Sequence, residues 1–253
     1  AGGPLAVLVT AIIAAEFGKA VSKETKVDIL VTPLVTIFAG VGLSMLIAAP
    51  IGAAASQVGT LIMWATEQAP LVMGILVSVI VGVALTLPIS SAAICAALGL
   101  TGLAGGAAVA GCCAQMVGFA VMSYKENGVG GLVSQGLGTS MLQMGNIIKN
   151  PRIWIAPTLA SAITGPLATC LFHFEMNGAA VSSGMGTCGL VGQIGVYTGW
   201  VSDIAAGTKA AITPMDWAAM VLLCFVLPAV LSVVFCAVER KLGWIKEGDL
   251  KLN

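Results

Sequence analysis

Residues 87–111 read LPISSAAICAALGLTGLAGGAAVAG, and residues 178–199 read GAAVSSGMGTCGLVGQIGVYTG. Both stretches are rich in glycine, serine and threonine, yet both lie among apolar runs long enough to enter a bilayer. Irregular backbone at membrane depth has no water to satisfy its N–H and C=O groups, so it persists only where protein buries it or where it lines a cavity. We therefore predict two re-entrant or broken hairpins beside a substrate site, as in a transporter.

Composition also indicates a membrane protein. Of the 253 residues, 58% are apolar and 9% are charged, whereas about a quarter of an ordinary soluble domain is charged. The apolar residues come in blocks of spanning length, so we predict an all-α polytopic membrane protein embedded in the lipid bilayer. With 11 basic and 11 acidic residues the net charge is zero, which gives no electrostatic reason to expect nucleic acid as a partner.

Familiar catalytic and metal-binding motifs are missing from the sequence. It contains no P-loop, no GxSxG elbow and no HExxH motif. Its single histidine excludes a histidine-based metal centre, and neither a metal nor a cofactor is expected. The seven cysteines lie in apolar or small-residue surroundings and are interpreted as packing residues, although the neighbours Cys112 and Cys113 leave metal or redox chemistry open. No catalytic residue is predicted, and the energy for transport must come from an ion gradient or from another protein.

About six apolar runs predict membrane-spanning helices. Pro50 is expected to end the second run, so that residues 51–66 form a separate amphipathic helix. Pro157 and Pro166 are expected to kink the fifth span, and Pro228 lies in the middle of the last. The six predicted spans are residues 4–21, 29–49, 70–87, 107–124, 154–174 and 217–238.

The chain is predicted to form one membrane-embedded domain over residues 1–253, and upstream helices are expected to be missing because an apolar run begins almost at once. Basic residues cluster between the first two spans (Lys19, Lys23, Lys26) and in the polar tail (Arg240, Lys241, Lys246, Lys251). The positive-inside rule places both clusters in the cytoplasm. The predicted parts are a scaffold (1–68), a substrate and hairpin part (69–200), a last span (201–238) and a cytoplasmic tail (239–253).

The two small-residue stretches resemble one another. PISSAAICAALGLTGLAGG, from Pro88, and GAAVSSGMGTCGLVGQ, from Gly178, both lead from a serine pair into glycine-spaced small residues and a Gly-Leu step. This echo favours a pair of related transport elements. Small residues also recur in membrane helices simply because they let helices approach closely, so that alternative stays open.

The candidate site centres on the string HFEMNG, which brings His173, Glu175 and Asn177 together beside the second small-residue stretch. Ionisable residues at membrane depth are costly and usually face a cavity. An imidazole, a carboxylate and an amide supply the donors and acceptors that grip vicinal hydroxyls. The alternative is that His173 and Glu175 mark the interfacial end of a helix.

Further polar residues complete the predicted substrate-binding set. Ser90 and Ser91 follow a helix-stopping proline and either face a cavity or cap a helix. Residues 130–148 are too polar for a lipid-facing span and predict an interfacial helix or a cavity wall, with Gln135 among the polar residues of one face. Such neutral groups suit an uncharged polyhydroxylated ligand, or equally serve as hydrogen bonds between helices. The full set is His173, Glu175, Asn177, Ser90, Ser91, Gln115, Ser140, Gln143, Asn146, Thr187 and Gln193.

Long strings of this sequence resemble a known family. The string VTPLVTIFAGVGLSMLIAAPIG, residues 31–52, resembles the membrane segment of the sugar-translocating IIC subunits of the bacterial phosphoenolpyruvate-dependent phosphotransferase system. Other strings look like the branch of IIC-like proteins that includes PfoR-type toxin regulators, and the resemblance covers essentially the whole chain. They are LTLPISSAAI, GCCAQMVGFAVMSYKENGVGGL, QGLGTSMLQMGNIIKNPRIWIAPTLASAITGP and GMGTCGLVGQIG.

The resemblance implies a homodimeric protein of the bacterial inner membrane, with a scaffold and a moving substrate domain that contains re-entrant hairpins. It implies that a sugar or polyol bound at the hairpins is carried across and phosphorylated by a separate IIB protein, which receives phosphate from IIA. Glu175 and His173 match the family's sugar-holding glutamate and histidine by type and neighbourhood. The Gly-Ile-Thr-Glu-Pro string of glucose-type hairpins is replaced by PISSAAI. Two functions are therefore expected: a sugar permease, or a membrane sensor that binds without transporting.

Overall fold

The computed structural model describes residues 3–24 and 27–252, and Lys26 of the first basic cluster lies outside them. Regular structure in the described residues is helical, and the only β-pairing among them is an isolated bridge. Its α-helices are α1 (Gly3–Val21), α2 (Asp28–Gln68), α3 (Pro70–Thr86), α4 (Ser91–Leu98), α5 (Gly102–Met122), α6 (Tyr124–Val133), α7 (Met144–Lys149), α8 (Ile155–Pro166), α9 (Val191–Ala205), α10 (Pro214–Val221) and α11 (Leu227–Lys241).

Helices of spanning length form at five of the six predicted spans, and the sixth, residues 70–87, forms a shorter helix. Five helical stretches are long and apolar enough to cross a membrane, and the 17-residue α3 is a shorter apolar helix. The prediction of an all-α polytopic protein is confirmed. The five stretches are Gly3–Val21, Asp28–Gln68, Gly102–Met122, Pro151–Leu171 and Pro214–Lys241.

The predicted break at Pro50 is wrong. Helix α2 continues through both Pro33 and Pro50 for 41 residues, so residues 51–66 are not a separate helix. A proline removes one backbone hydrogen bond, whereas two new helix ends leave about four N–H and four C=O groups unpaired. In an apolar environment that larger loss is the more costly, and the helix stays continuous.

Later prolines behave differently according to their position. Pro157 lies in the first turn of α8, where a proline is tolerated because its missing N–H would have no intrahelical acceptor. Pro166 is followed by a π-helical turn, Leu167–Leu171, and Pro228 is preceded by another, Leu222–Val226. Both turns interrupt their spans near a proline, and a kink was predicted for Pro166.

Helix α5 is the centre of the fold. It is almost wholly buried, and it packs against α3, α8 and α11. The predicted span began at Ala107, with irregular chain before it, but the helix begins at Gly102. Glycines in this part serve close packing: a Cβ at Gly111 would overlap the Ser78 backbone of α3, and one at Gly106 would overlap the Phe174 carbonyl oxygen.

The first small-residue stretch forms the end of a re-entrant hairpin, here called hairpin 1 (residues 70–102, from the start of α3 to the first residue of α5). Helix α3 runs parallel to α5, because Ser78 lies beside Gly111 and Thr86 hydrogen-bonds to Gln115. The chain turns at residues 87–90, and α4 runs back until Gly99, whose φ of 63° ends the helix in the left-handed conformation. The tip of hairpin 1 therefore lies part of the way along α5.

The second stretch forms hairpin 2 (residues 172–205). Its outgoing leg is extended at first and then 3₁₀-helical over Ala180–Gly184; its returning leg is α9. The tip contains Gly189 and Leu190, both with positive φ. Irregular backbone was predicted through Gly199, but it ends at Leu190, where α9 follows as a regular helix.

Each hairpin supplies hydrogen-bond partners for backbone groups of the other. Gly102 and Met176 exchange two N–H···O=C hydrogen bonds, each 3.0 Å long. The Ser91 hydroxyl donates to the Gly184 carbonyl at 2.7 Å, and the Ser183 hydroxyl donates to the Leu100 carbonyl at 2.6 Å. The interrupted backbone is thus sheltered by protein, as predicted, and each hairpin depends on the other for its hydrogen bonds.

Candidate functional site

A pocket of about 550 Å³ opens at the base of hairpin 2, at the end opposite its tip. Its walls come from the start of the hairpin, the end of α9, the connection after α9 and the first turns of α10. The three residues of the predicted centre, His173, Glu175 and Asn177, all line it. Its other polar or aromatic lining residues are Phe172, Phe174, Trp200, Asp203, Thr208, Lys209 and Asp216.

In the segment HFEMN, buried and exposed side chains alternate as they do along a β-strand. Phe174 and Met176 are buried in the core, while His173 and Glu175, which alternate with them along the chain, are exposed. In extended backbone successive side chains point to opposite sides, so the apolar residues anchor the segment and the polar ones face the pocket. His173 has a φ of 45°, which turns the chain out of the π-helical end of the preceding span.

Asn177 joins the two legs of hairpin 2. Its Nδ2 donates to Glu175 Oε2 and to Asp203 Oδ2, each at 2.9 Å. Two carboxylates around one amide group require its nitrogen there rather than its oxygen, which fixes the orientation of the amide. Both amide hydrogens are thereby used, and the carboxylate oxygens that remain are acceptors for a ligand.

The only lysine of the pocket is already paired. Lys209 Nζ lies 2.8 Å from Asp216 Oδ1 and 5.7 Å from the ring centroid of Trp200. The other oxygen of Asp216 accepts from the Thr213 backbone in a capping box at the start of α10. Among the described residues no basic side chain forms an ion pair with Glu175 or Asp203. The pocket therefore has three carboxylates, those of Glu175, Asp203 and Asp216, against one lysine, and it favours ligands that bring hydrogen-bond donors.

Of the two predicted serines, Ser91 is buried in the contact between the hairpins and Ser90 is exposed. Ser90 caps α4 by accepting from the Ala93 N–H, and Ser91 bonds to Gly184. Thr187 and Gln193 lie near the tip of hairpin 2. The Thr187 hydroxyl contacts the sulfur of a methionine of α5, while Gln193 Nε2 donates to a cysteine sulfur of the same helix. Gln193 Oε1 is buried and has no hydrogen-bond partner among the described residues.

Gln115 and Ser140 hydrogen-bond between helices. Gln115 Oε1 accepts from Trp154 Nε1 at 2.9 Å, and its Nε2 donates to hydroxyls of α8. The Ser140 hydroxyl is hydrogen-bonded to that of Thr86 at 2.9 Å, at the tip of hairpin 1. In this structure both side chains therefore form hydrogen bonds between helices, which was the alternative left open by the sequence. A role for them in ligand binding stays a prediction.

Gln143 and Asn146 hold the C-terminal residues 244–252, here called the tail strap. Gln143 Nε2 donates to the Leu250 carbonyl, and Asn146 Nδ2 donates to the Lys251 carbonyl, each at 3.0 Å. Both lie at the end of the molecule away from the pocket. Residues 130–148 form four short helices rather than one interfacial helix: α6, the π-helix Ser134–Gly138, the 3₁₀-helix Ser140–Gln143 and α7.

Sequence reasoning missed the pocket residues supplied by α9 and the following connection. Asp203 is separated from Asn177 by 26 positions, and Lys209 and Asp216 lie further along the chain. The available signal was an acidic residue at the end of a small-residue segment, followed by a second one at the start of the last span. That signal has meaning only once hairpin 2 is known to fold back on itself.

Metal-ligating side chains do not converge in the part of the chain that the structure describes: no three His, Cys, Asp or Glu residues there could hold an ion together. Five of the seven cysteines are buried, while Cys170 is exposed and Cys188 is half-buried.

Comparison with known proteins gives one match. A family model described as "Phosphotransferase system, EIIC" matches residues 1–252. No curated protein and no solved structure matches the chain.

Proposed function

The chain belongs to the EIIC family of the phosphotransferase system, and from this premise we propose that it binds and translocates a sugar or polyol for phosphorylation by a separate IIB protein. It is a multi-pass membrane protein with the general character of a sugar-specific permease component. We also propose which pocket binds the sugar, which proteins are the partners and which way the molecule faces in the membrane. IIA is the expected phosphate donor to IIB.

The observation that carries the proposal is the pocket at the base of hairpin 2. It is concave, it lies where interrupted backbone meets a returning helix, and it presents carboxylates, an imidazole and aromatic side chains. Carbohydrate recognition needs this combination of acceptors and apolar surface. Glu175, Asn177 and Asp203 form its polar centre, and His173 stands at its rim.

The orientation proposed for the molecule places this pocket on the outer side of the bacterial inner membrane. The tail strap and the exposed basic residues Lys125, Lys149, Arg152 and Lys241 lie at the opposite end of the bundle, which the positive-inside rule assigns to the cytoplasm. Helix α5 separates the two ends by about 30 Å, the thickness of the hydrocarbon core. A pocket open to the outside suits a permease that is waiting for its substrate.

The contacts between helices support the proposed division of the chain into a scaffold part and a substrate part. Helices α1 and α2, residues 1–68, pack chiefly on each other and expose large apolar side chains such as Ile29 and Met45, which suits a scaffold in lipid or at a homodimer interface. Residues 69–200 contain hairpin 1 and all but the last five residues of hairpin 2, and they form the proposed substrate part. Residues 201–238 supply the last span, and 239–253 the cytoplasmic tail.

The proposal is tested with Glu175→Gln. Purified protein reconstituted into vesicles should exchange a radiolabelled neutral hexose or hexitol from a panel, and the variant should lose this exchange without a lower folded yield. The loss is expected because an amide replaces a charge-assisted acceptor by a weaker one. Glu247→Gln, in the exposed part of the tail strap, is the matched control and should behave as wild type. Unchanged exchange in Glu175→Gln would remove this residue from the site.

A sensor of the PfoR type, which binds without transporting, is the second candidate. The observation in its favour is the tail strap, whose backbone is gripped by side chains of α6 and α7 and whose position therefore depends on the membrane part. A sugar that binds the purified protein but is never exchanged by the vesicles would favour the sensor over the permease.

A further inference from the structure

Buried amides form a continuous ladder on the side of the molecule away from the pocket. Gln143 Nε2 donates to Gln135 Oε1, and Asn146 Nδ2 donates to Gln143 Oε1, both at 2.8 Å. Gln135 Nε2 in turn donates to the Ser123 hydroxyl at 2.8 Å. Gln135 and Gln143 are fully buried. Such groups are costly to bury unless each has a partner, so the ladder holds together as one unit.

One end of the ladder carries the tail strap. Gln143 and Asn127 both donate to the Leu250 carbonyl, and Asn127 Oδ1 accepts from the Leu252 N–H at 2.8 Å. The side chains of Ile245 and Leu250 are buried in a cluster with residues of α5, α7 and α11. The strap is therefore fastened by main-chain hydrogen bonds and by apolar burial together.

The other end of the ladder touches both hairpin tips. Gln135 belongs to the π-helix Ser134–Gly138, which packs against Cys188–Leu190 at the tip of hairpin 2. Ser140 is hydrogen-bonded to Thr86 at the tip of hairpin 1. Residues 134–143 thus lie between the strap and the two elements that would have to move in transport.

We infer that the tail strap is a latch: while docked it holds residues 134–143 against both hairpin tips and keeps that side of the molecule closed, and its release frees the tips to move. If the strap left its docked position, the amides of Gln143 and Asn146 would lose hydrogen-bond partners. The ladder therefore rearranges when the strap is released. The two arrangements are discrete, as expected of a packed switch. The inference names the regulation of the proposed sugar site and so rests on the proposed function.

The reactivity of two native cysteines shows whether the latch is open, and this measurement needs no substrate. Cys188 is half-buried at the tip of hairpin 2, and Cys170 is exposed at the opposite end of the bundle. The latch variant is Asn127→Leu with Asn146→Leu, which removes amide donors to the strap while keeping side-chain volume. The control is Glu247→Gln, because Glu247 is exposed within the strap and its replacement leaves both strap lysines in place. Trypsin cleavage at Lys246 and Lys251 reports whether the strap is released.

In the latch variant, with strap release shown by trypsin, a membrane-impermeant maleimide should modify Cys188 at least about tenfold faster in nanodiscs, because local opening controls the reactivity of partly buried groups. Cys170 should react at the wild-type rate, and the control Glu247→Gln should change the rate of neither cysteine. An unchanged Cys188 rate with a released strap would overturn the latch. Sugar exchange by wild-type protein is measured separately, so that failure of the latch and failure of the proposed function are distinguishable.

A measurement on the unmodified protein decides the question if the double variant does not fold. Amide hydrogen exchange of the wild type should show residues 134–143, 187–190 and 245–252 opening together, with rates that agree within about threefold, as for one cooperative unit. Opening of the strap while residues 134–143 stay protected would overturn the inference.

Discussion

Two glycine residues of α5 permit close approaches of backbone to backbone. Gly106 faces the carbonyl of Phe174 at the start of hairpin 2, and Gly111 faces Ser78 of α3. Neither has a positive φ, so conformational freedom is not the reason for glycine at these positions. The absent side chain is what matters, because it lets a hairpin and a helix lie directly on α5.

Gly106→Ala should lower the melting temperature and the monodisperse yield. Its Cβ would collide with backbone, which cannot rotate away, and such overpacking costs about 1–3 kcal/mol. Gly130→Ala is the matched control, because a Cβ there meets no heavy atom within 4 Å. That control should be neutral or stabilising. A Gly106→Ala protein as stable as wild type would mean that hairpin 2 does not rest on α5 in this way.

Charge at the pocket should select against anionic ligands. Glu175 and Asp203 each lie 2.9 Å from one amide nitrogen, and no basic group among the described residues pairs with either. A hexuronate should therefore bind more weakly than the parent neutral hexose. Asp203→Asn should lower the ratio of the two dissociation constants, hexuronate over hexose, by about three- to tenfold, the range expected for one charge near a wet surface.

Equilibrium binding of both sugars to each purified variant measures this effect. Glu247→Gln, far from the pocket in the tail strap, controls for net charge and should leave the ratio unchanged. A ratio that does not respond to Asp203→Asn would place the ligand away from this carboxylate.

The residues of the pocket differ in how visible they are in the sequence. His173, Glu175 and Asn177 could be singled out because ionisable and amide groups are rare and costly among apolar spans. Asp203 and Lys209 could not, since their proximity to Asn177 results from the fold of hairpin 2. Gln143 and Asn146 looked the same as pocket residues by composition, and only their contacts with the tail strap show where their hydrogen bonds go.

At the scale of elements, the two hairpins act as one unit. The Ser183 hydroxyl donates to Leu100 at 2.6 Å from a fully buried position. Ser183→Ala should destabilise the protein by about 1–3 kcal/mol, because the Leu100 carbonyl would be buried without this donor. Thermal unfolding of the purified protein measures the change, and the exposed Ser202→Ala is the control. Equal stability of the two variants would contradict the mutual support of the hairpins.

Prolines show where sequence patterns stop being sufficient at this scale. Pro50 and Pro166 are equally plausible helix breakers in the sequence, yet α2 continues through the first and a π-helix follows the second. The outcome depends on whether neighbouring segments can pair the backbone groups that a break releases. For residues 87–101 and 172–190 such partners exist in the other hairpin, and there the chain does break.

At the scale of the whole molecule, hydropathy was sufficient to predict the helical class and five of the six predicted spans, whereas the sixth, residues 70–87, forms α3, a leg of hairpin 1. It did not predict that the two small-residue stretches meet, nor that the end of the chain folds back beneath them. Both arrangements come from hydrogen bonds between segments far apart in sequence, such as Gly102 with Met176 and Asn127 with Leu250. The resulting molecule has a polar pocket at one end, a strapped amide ladder at the other, and the hairpins between them.

The most direct test of the central claim is the melting temperature of the purified protein across a panel of neutral hexoses, hexitols and hexuronates. A ligand that binds only the folded state adds about 2.7 kcal/mol at 100 times its Kd. At least one neutral sugar or polyol should raise the melting temperature of wild-type protein and fail to raise that of Glu175→Gln. No rise with any neutral sugar, or an equal rise in the variant, would contradict a carbohydrate pocket at the base of hairpin 2.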